Sequence, residues 1–310
     1  MEQKKAEKIG NVELDLNWYS GQDLYSDGDV EEELLAIVRE HGEAEFPQII
    51  AERKSWPVLY HLSHLRGNIL RHVPMDGTEK VLEIGSGCGA VTGTLAEKAG
   101  QVDCVELSKR RSMINAYRNQ AHDNLRILVG NFETIEPYLD KDYDIVTLIG
   151  VFEYASYYLH TGDPFRDFLK TAVSHLRPGG KLFIAIENRL GLKYFAGCRE
   201  DHSGELFEGI EGYAPEARAH TFSLSEWKEL LADCGCGKYT FYYPYPDYKF
   251  PMQLFSDTRL PRPGELNRNL NNFDRPRLQL FDEEKVWQSI LAEGIFPVFS
   301  NSYLIEVEAE

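Results

Sequence analysis

The feature of this sequence that most constrains its fold is the glycine-rich segment Val81–Gly89 (VLEIGSGCG), which joins a predicted strand to a predicted helix. Glycine permits a tight turn and a close approach of the backbone to a ligand, and the start of the next helix offers free N–H groups. From Glu79 onward, strands and helices alternate along the chain. This alternation predicts an α/β fold with a parallel sheet, helices on both faces and a ligand site beyond the carboxyl ends of the strands.

Hydrophobic patterning places the individual elements. The first 30 residues are polar and show little pattern, and Arg177–Gly180 (RPGG) predicts a turn that ends a helix. The predicted helices are Val30–His41, Pro57 to about Val73, Ala90–Lys98, a helix capped by Ser108 that runs through Met113, Ile114 and Tyr117, Pro164–Leu176, Ser225–Cys234 and Glu283–Glu293. The predicted strands are Lys80–Ile84, Val102–Glu106, Arg126–Val129, Tyr143–Ile149, Lys181–Ile186, Lys238–Tyr243 and Asn301–Val307.

Charge and composition narrow the classes of partner. The 50 acidic residues against 33 lysines and arginines give a net charge of −17, which disfavours nucleic acid and anionic membranes as partners. No apolar run approaches the ~20 residues of a membrane span, and the charged start MEQKKAEKIG is unlike a signal peptide. We therefore expect a cytoplasmic protein whose five cysteines are reduced and bind no metal.

The glycine loop alone leaves the ligand open, because Gly85-x-Gly87-x-x-Ala90 also fits a dinucleotide fingerprint and hence a dehydrogenase. Glu83, two residues before the loop, would repel a pyrophosphate but can hold a cationic amino-acid group. Glu106 ends the second strand, where its two oxygens can bind a ribose diol. After the third strand, Asn131 can hydrogen-bond an adenine edge, and its aromatic neighbour can stack on the base.

Together, these residues resemble the class I S-adenosylmethionine-dependent methyltransferase family over about Lys80–Asn188. The resemblance implies S-adenosylmethionine as cofactor and a Rossmann-like, seven-stranded, mostly parallel sheet with an antiparallel last strand. One departure is Asn131, where many relatives carry an aspartate, so that the charge at the adenine contact is lost. A dehydrogenase and a non-catalytic nucleotide-binding relative are the alternatives. The implied cofactor-binding residues are Glu83, Gly85, Ser86, Gly87, Gly89, Glu106, Leu107, Asn131, Phe132 and Gly150.

The resemblance also divides the chain. Residues 1–75 would form an N-terminal helical lid or extension, and residues 76–310 the methyltransferase domain, with insertions at about 190–222 and about 244–282 on the acceptor side. The helix at the end of the first part is interpreted either as a lid over the cofactor or as a docking helix. The segment Phe241–Phe255 has seven aromatic residues, which could line the acceptor site or clasp the second insertion.

Three polar residues are candidates for catalysis. Glu153 follows the fourth strand, Glu187 follows the fifth, and His202 lies in the first insertion beside an aspartate. Methyl transfer to oxygen usually requires a general base, which a histidine or a buried carboxylate can supply. Each residue also has a structural interpretation, as a helix cap, a hydrogen-bonded turn or a solvated histidine. No residue set predicts a metal site.

The runs Tyr60–Leu70, Glu187–Gly212 and Tyr242–Pro251 are similar to a subgroup of bacterial methyltransferases associated with glycosyltransferases and cell-surface polysaccharides. This likeness implies O-methylation of a sugar or glycan-linked small molecule, and association with a glycosyltransferase. A peptide or a natural product stays open as acceptor, as does a non-catalytic binder of S-adenosylmethionine. The sequence does not predict the oligomeric state.

Overall fold

The computed structural model describes residues 6–23, 28–214, 216–267 and 277–310. Parts of the expected N-terminal extension (1–5, 24–27) and of the two expected insertions (215, 268–276) therefore lie outside the described residues. The chain divides into two compact units. The first comprises the described residues up to Leu148 together with Ser174–Gly180, and the second comprises Ile149–Val173 and the described residues from Lys181 to the end.

The described residues form ten strands, not the expected seven. All seven predicted strands form, and the three additional ones are β1, β2 and β9. The strands are β1 (Ala6–Ile9), β2 (Val12–Trp18), β3 (Lys80–Ile84), β4 (Gln101–Glu106), β5 (Leu125–Gly130), β6 (Tyr143–Ile149), β7 (Leu176–Glu187), β8 (Tyr239–Tyr245), β9 (Gln253–Ser256) and β10 (Ser302–Glu308).

In the first unit the strand order is β1-β2-β5-β4-β3-β6. All neighbours from β2 to β6 pair in parallel, whereas β1 pairs antiparallel with β2. In the second unit the order is β7-β10-β8-β9 with antiparallel pairing, which confirms that the last strand of the chain is antiparallel. Because β7 begins at Leu176, the expected turn at Arg177–Gly180 is wrong; this segment is the start of a strand.

The N-terminal hairpin corrects the expectation that the first 30 residues lack a pattern. Val12, Leu14 and Leu16 alternate with polar residues along β2 and are buried, as expected for a strand with one face towards a core. The strand ends against β5, where a Cβ on Gly130 would lie only 2.7 Å from the backbone oxygen of Trp18. The alternation is present in the sequence of Val12–Trp18 (VELDLNW), although the strand was not predicted.

The helices of the first unit include a correction as well. The single helix expected from Pro57 to about Val73 is interrupted at Ser63 and forms two shorter helices. The backbone of Ser63 is extended, and its hydroxyl accepts a hydrogen bond from Leu65 N at 3.3 Å. A buried apolar cluster joins residues of α1, α2, α3 and α6. The helices are α1 (Val30–Glu40), α2 (Phe46–Arg53), α3 (Trp56–Leu62), α4 (Asn68–Arg71), α5 (Thr92–Ala96), α6 (Lys109–Arg118) and α7 (Phe132–Ile135).

Aromatic side chains form much of the core of the second unit. Phe152 stacks on Phe168 with ring centroids 5.9 Å apart, and Trp227 lies 4.9 Å from Phe152. Tyr243 and Phe296 also pack edge to face. The start of the aromatic segment therefore belongs to the core. The helices are α8 (Ala155–Tyr158), α9 (Pro164–Ser174), α10 (Leu192–Phe195), α11 (Glu208–Glu211), α12 (Leu224–Asp233), α13 (Glu283–Ala292) and α14 (Phe296–Phe299).

None of the helices in the described part of the chain has the length and hydrophobicity needed to span a bilayer. All five cysteines are free thiols, as expected.

Candidate functional site

The glycine loop after β3 has the left-handed backbone that its sequence predicts. Gly85, Gly87 and Gly89 have φ angles of 75°, 51° and 80°. A Cβ on Gly89 would lie 2.4 Å from Asn115 Oδ1, so this glycine is required by the packing of α6. A Cβ on Gly87, in contrast, would have no atom within 4 Å. The space beside Gly87 is the kind of cradle that a ligand close to the backbone requires.

Glu106, the last residue of β4, connects this loop to the start of α6. Its Oε2 accepts a hydrogen bond from Gly87 N at 2.8 Å, and its Oε1 accepts one from Ser108 N at 2.9 Å. Burial raises the pKa of this carboxyl, while the nearby Arg111 opposes the rise. Each oxygen retains a further lone pair, so the side chain fits the expected role of accepting two ribose hydroxyls.

The N-terminal part of the chain supports this region through contacts that the sequence did not reveal. Arg111 Nε donates to Glu31 Oε1 at 2.8 Å, and both side chains are nearly buried. Asp23 accepts a hydrogen bond from Lys109 N at 2.7 Å at the start of α6. Residues before the glycine loop therefore hold the helix that follows Glu106, and the acidic first turn of α1 was the one available signal.

Glu83 is buried beneath the glycine loop. Its Oε2 accepts hydrogen bonds from Thr92 Oγ1 at 2.6 Å and from Cys104 Sγ at 3.3 Å. Burial raises the pKa of Glu83 to about 7, although these two hydrogen bonds oppose the rise. A bound ammonium group would favour the ionised form of Glu83. A carboxyl with a pKa of about 7 can therefore make the expected contact with the amino-acid part of the cofactor.

The remaining residues that were expected to bind the cofactor have structural contacts of their own. Asn131 caps α7, because its side-chain oxygen accepts a hydrogen bond from Glu133 N at 3.0 Å. Phe132 is buried, with its ring 6.3 Å from that of His175. Ser86 is buried and Leu107 is half-buried. Gly150 belongs to the second unit, where a Cβ would lie 2.8 Å from the hydroxyl of Tyr248.

The three candidate catalytic residues come together within the second unit. Glu153 lies in the 3₁₀ turn Phe152–Tyr154, Glu187 is the last residue of β7, and His202 lies in the segment closed by the bridge of Arg199 with Leu206. One potential ligand atom from each residue lies within 4.8 Å of the other two. Glu153 and Glu187 are at most 1% exposed.

His202 is held by two carboxylates. Its Nδ1 donates to Glu200 Oε1 at 2.8 Å, and its Nε2 lies 3.6 Å from Glu153 Oε1. Burial lowers the pKa of His202, but the two carboxylates outweigh burial and raise it well above its usual value. Burial raises the pKa of Glu153, whereas the imidazole lowers that of Glu200 despite burial. The group thus shares protons among closely spaced acids and a base.

A buried chain of ion pairs continues from Glu187. Lys249 Nζ bonds to Glu187 Oε1 and to Asp201 Oδ1. Lys193 Nζ lies 2.9 Å from Asp201 Oδ2 and 2.7 Å from Asp247 Oδ2. The sequence analysis did not predict these ion pairs. The signal in the sequence is the presence of charged residues inside otherwise apolar or aromatic runs.

Two buried oxygens in this cluster lack a hydrogen-bond partner among the described residues. They are Oε2 of Glu153 and Oε2 of Glu187. A buried carboxylate oxygen without a partner is costly, so a native structure that retains two of them calls for an explanation such as a missing ligand.

Comparison with known proteins finds relatives for the part of the chain that contains the glycine loop and Glu106. Residues 82–184, about a third of the chain, match the family model of a methyltransferase domain. A demethylmenaquinone methyltransferase of Tropheryma whipplei is 27% identical over 142 residues, which are 43% of this chain and 56% of that protein. A ubiquinone biosynthesis O-methyltransferase of Idiomarina loihiensis is 28% identical over 114 residues, which are 36% of this chain and 43% of that protein. The chain thus matches about half the length of these relatives.

Among solved structures, an S-adenosylmethionine-dependent methyltransferase from Archaeoglobus fulgidus aligns with a TM-score of 0.48 at 14% identity, over 80% of this chain and 96% of that one. The matched residues 82–184 contain the glycine loop, Glu106 and β6. The match of this segment to a methyltransferase domain supports S-adenosylmethionine as the cofactor.

Proposed function

We propose that this protein is an S-adenosylmethionine-dependent methyltransferase that methylates a hydroxyl oxygen of a sugar or glycan-linked small molecule. One observation carries the proposal beyond the cofactor: Glu153, Glu187 and His202, which lie far apart in the sequence, come within 4.8 Å of one another. A protein that only binds the cofactor would not need such a group.

The first unit supplies the groups for cofactor binding. Glu106 would bind the ribose hydroxyls, the space beside Gly87 would admit the cofactor close to the backbone, and Glu83 would pair with the ammonium group. When bound, the cofactor supplies an electrophilic methyl group on a sulfonium. These residues orient it and undergo no covalent change.

The second unit supplies the groups for the acceptor. Glu153 would accept the hydroxyl proton and become neutral, and His202, which its hydrogen bond to Glu200 holds in place, would position the Glu153 carboxylate from 3.6 Å away. As the acceptor oxygen bonds to the methyl carbon, the carbon–sulfur bond breaks and its electron pair stays on sulfur. Proton transfer to a positioned base of this kind typically contributes ~10²–10⁴-fold to the rate.

The polarity of the group formed by Glu153, Glu187 and His202 favours a polyhydroxylated acceptor. The unsatisfied oxygens of Glu153 and Glu187 can accept hydrogen bonds from neighbouring hydroxyls of such an acceptor. The relative named as a ubiquinone biosynthesis O-methyltransferase suggests an aromatic hydroxyl as second candidate. Cytoplasmic location and association with a glycosyltransferase are further parts of the proposal.

Transfer of an isotope-labelled methyl group to a panel of acceptors tests the function. The panel contains sugar nucleotides, methyl glycosides, a catechol and a peptide mixture. We expect label in a sugar, and about a 100-fold or greater loss of rate in Glu153→Gln. Glu205→Gln, which removes an exposed carboxylate nearby, should retain full activity.

Binding of S-adenosylhomocysteine, measured by calorimetry on the same variants, separates a lost reaction from a lost fold. Label in the catechol alone would replace the sugar by the second candidate. Binding of the cofactor product without turnover of any acceptor class would favour the non-catalytic alternative.

A further inference from the structure

The unsatisfied oxygens of Glu153 and Glu187 lie in a region with an excess of negative charge. Among the described residues, five carboxylates face two lysines and His202 here, and the five are Glu153, Glu187, Glu200, Asp201 and Asp247. The side chains of Glu153 and Glu187 are 2% and 0% exposed, so water cannot screen them. Buried charge of one sign must be balanced by protons or by a cation.

The spacing between His202 and Glu153 fits a shared cation better than a hydrogen bond. The 3.6 Å between Nε2 and Oε1 is too long for a hydrogen bond. Two atoms that each lie ~2.1 Å from one metal ion at a near-tetrahedral angle are ~3.4 Å apart. Glu187 offers the third ligand, since a potential ligand atom of each residue lies within 4.8 Å of the others.

The surrounding hydrogen bonds also resemble those around metal ligands. A metal-bound histidine usually donates its other ring N–H to a carboxylate, as His202 Nδ1 does to Glu200 at 2.8 Å. Glu200 is itself fixed by the backbone N–H groups of His202 and Ser203, at 2.6 Å and 2.7 Å. The other oxygen of Glu187 is held by Lys249. His202 and Glu187 thus each have one atom anchored and another available, and Glu153 has an oxygen without a partner among the described residues.

We propose that Glu153, Glu187 and His202 bind a divalent metal ion and leave further coordination positions open. One imidazole and two carboxylates suit Mn²⁺, Fe²⁺ or Zn²⁺, and three protein ligands are typical of a site with room for an exogenous ligand. An acceptor hydroxyl could fill that room. The metal site goes beyond the proposed reaction and does not depend on it. It replaces the expectation that the chain has no metal site.

Titration of the full-length, chelator-treated protein with MnCl₂, followed by the electron paramagnetic resonance signal of free Mn²⁺, tests the site. We expect one tightly bound ion per chain. Glu187→Gln and Glu153→Gln should each weaken binding at least tenfold, and Glu200→Gln, which acts through His202, should weaken it by about 10–100-fold. Glu205→Gln is the matched control and should bind like the unchanged protein.

Pulsed electron paramagnetic resonance spectra of bound Mn²⁺ identify its ligands directly, so they distinguish the loss of one ligand from unfolding of the variant. Bound Mn²⁺ should show coupling to an imidazole nitrogen, and His202→Gln should abolish that coupling. No binding below about 1 mM Mn²⁺ or Zn²⁺ would overturn the proposal, and so would equal affinity in all variants. The titration contains neither methyl donor nor acceptor. Its result therefore does not decide whether the protein transfers a methyl group, which the labelling experiment tests separately.

Discussion

The two units hold their functional side chains in different ways. In the first unit, backbone conformation and backbone N–H groups hold the site. Glycines with positive φ shape the loop, and Glu106 is fixed by the N–H groups of Gly87 and Ser108. In the second, the side chains hold one another, through ion pairs that run from Glu187 to Asp247 in a buried interior.

This difference has an energetic consequence. Backbone-held groups depend on residue types that a local conformation requires, so a single substitution there acts through steric strain. Buried ion pairs lose most of their solvation, and removal of one partner leaves a charge without compensation. We therefore expect the second unit to be the more sensitive to the loss of a charge, and the first to the gain of a methyl group.

The largest effect should follow Asp201→Asn. Asp201 pairs with both Lys193 and Lys249, and its loss would leave two buried ammonium groups undercompensated. Breaking such a pair costs about 4 kcal/mol of unfolding free energy. Urea denaturation, followed by the fluorescence of the buried tryptophans Trp227 and Trp287, would measure it. A loss no greater than that of Glu205→Gln would show that the ion pairs contribute little.

A smaller loss of stability should follow Gly89→Ala in the first unit. The new methyl group would meet Asn115 at 2.4 Å, and the φ of 80° disfavours a side chain, so the cost is about 3 kcal/mol. Gly87→Ala is the matched variant. It has open space and should cost only about 1 kcal/mol, through its φ, yet it should lose affinity for S-adenosylhomocysteine. Equal stability of the two variants would contradict the packing argument.

The same contrast explains how far the sequence could be interpreted. The glycine loop, β3 and β6 were predicted with their observed bounds, because local runs of apolar residues and glycines specify them. The hairpin of β1 and β2 was missed: β1 is exposed and has no apolar period, whereas the alternation along β2 could have been recognised.

Among the catalytic candidates, Glu153, Glu187 and His202 were selected as polar residues after strands or beside a carboxylate. Their partners were not identified: Lys249 lies 62 residues from Glu187 along the chain. A pairing of that separation is set by tertiary packing, and no local period encodes it. The interruption of the second helix at Ser63 is similar, because the apolar spacing is the same in a continuous and in a broken helix.

The smallest effect concerns Glu83, a buried carboxyl of the first unit whose hydrogen bonds come from Thr92 and Cys104 rather than from a base. Its pKa of about 7 means that it is mostly protonated at pH 6 and mostly ionised at pH 8. If its carboxylate binds the cofactor's ammonium group, affinity should rise with pH and level off above pH 7, by about tenfold between pH 6 and pH 8. Calorimetry with S-adenosylhomocysteine in buffers of different ionisation enthalpy should show nearly one proton released per ligand at pH 6. Glu83→Gln should bind more weakly, with no pH dependence in this range. Retention of the slope in that variant would assign the proton to another group, and the first unit would then bind its cofactor by backbone and ribose contacts alone.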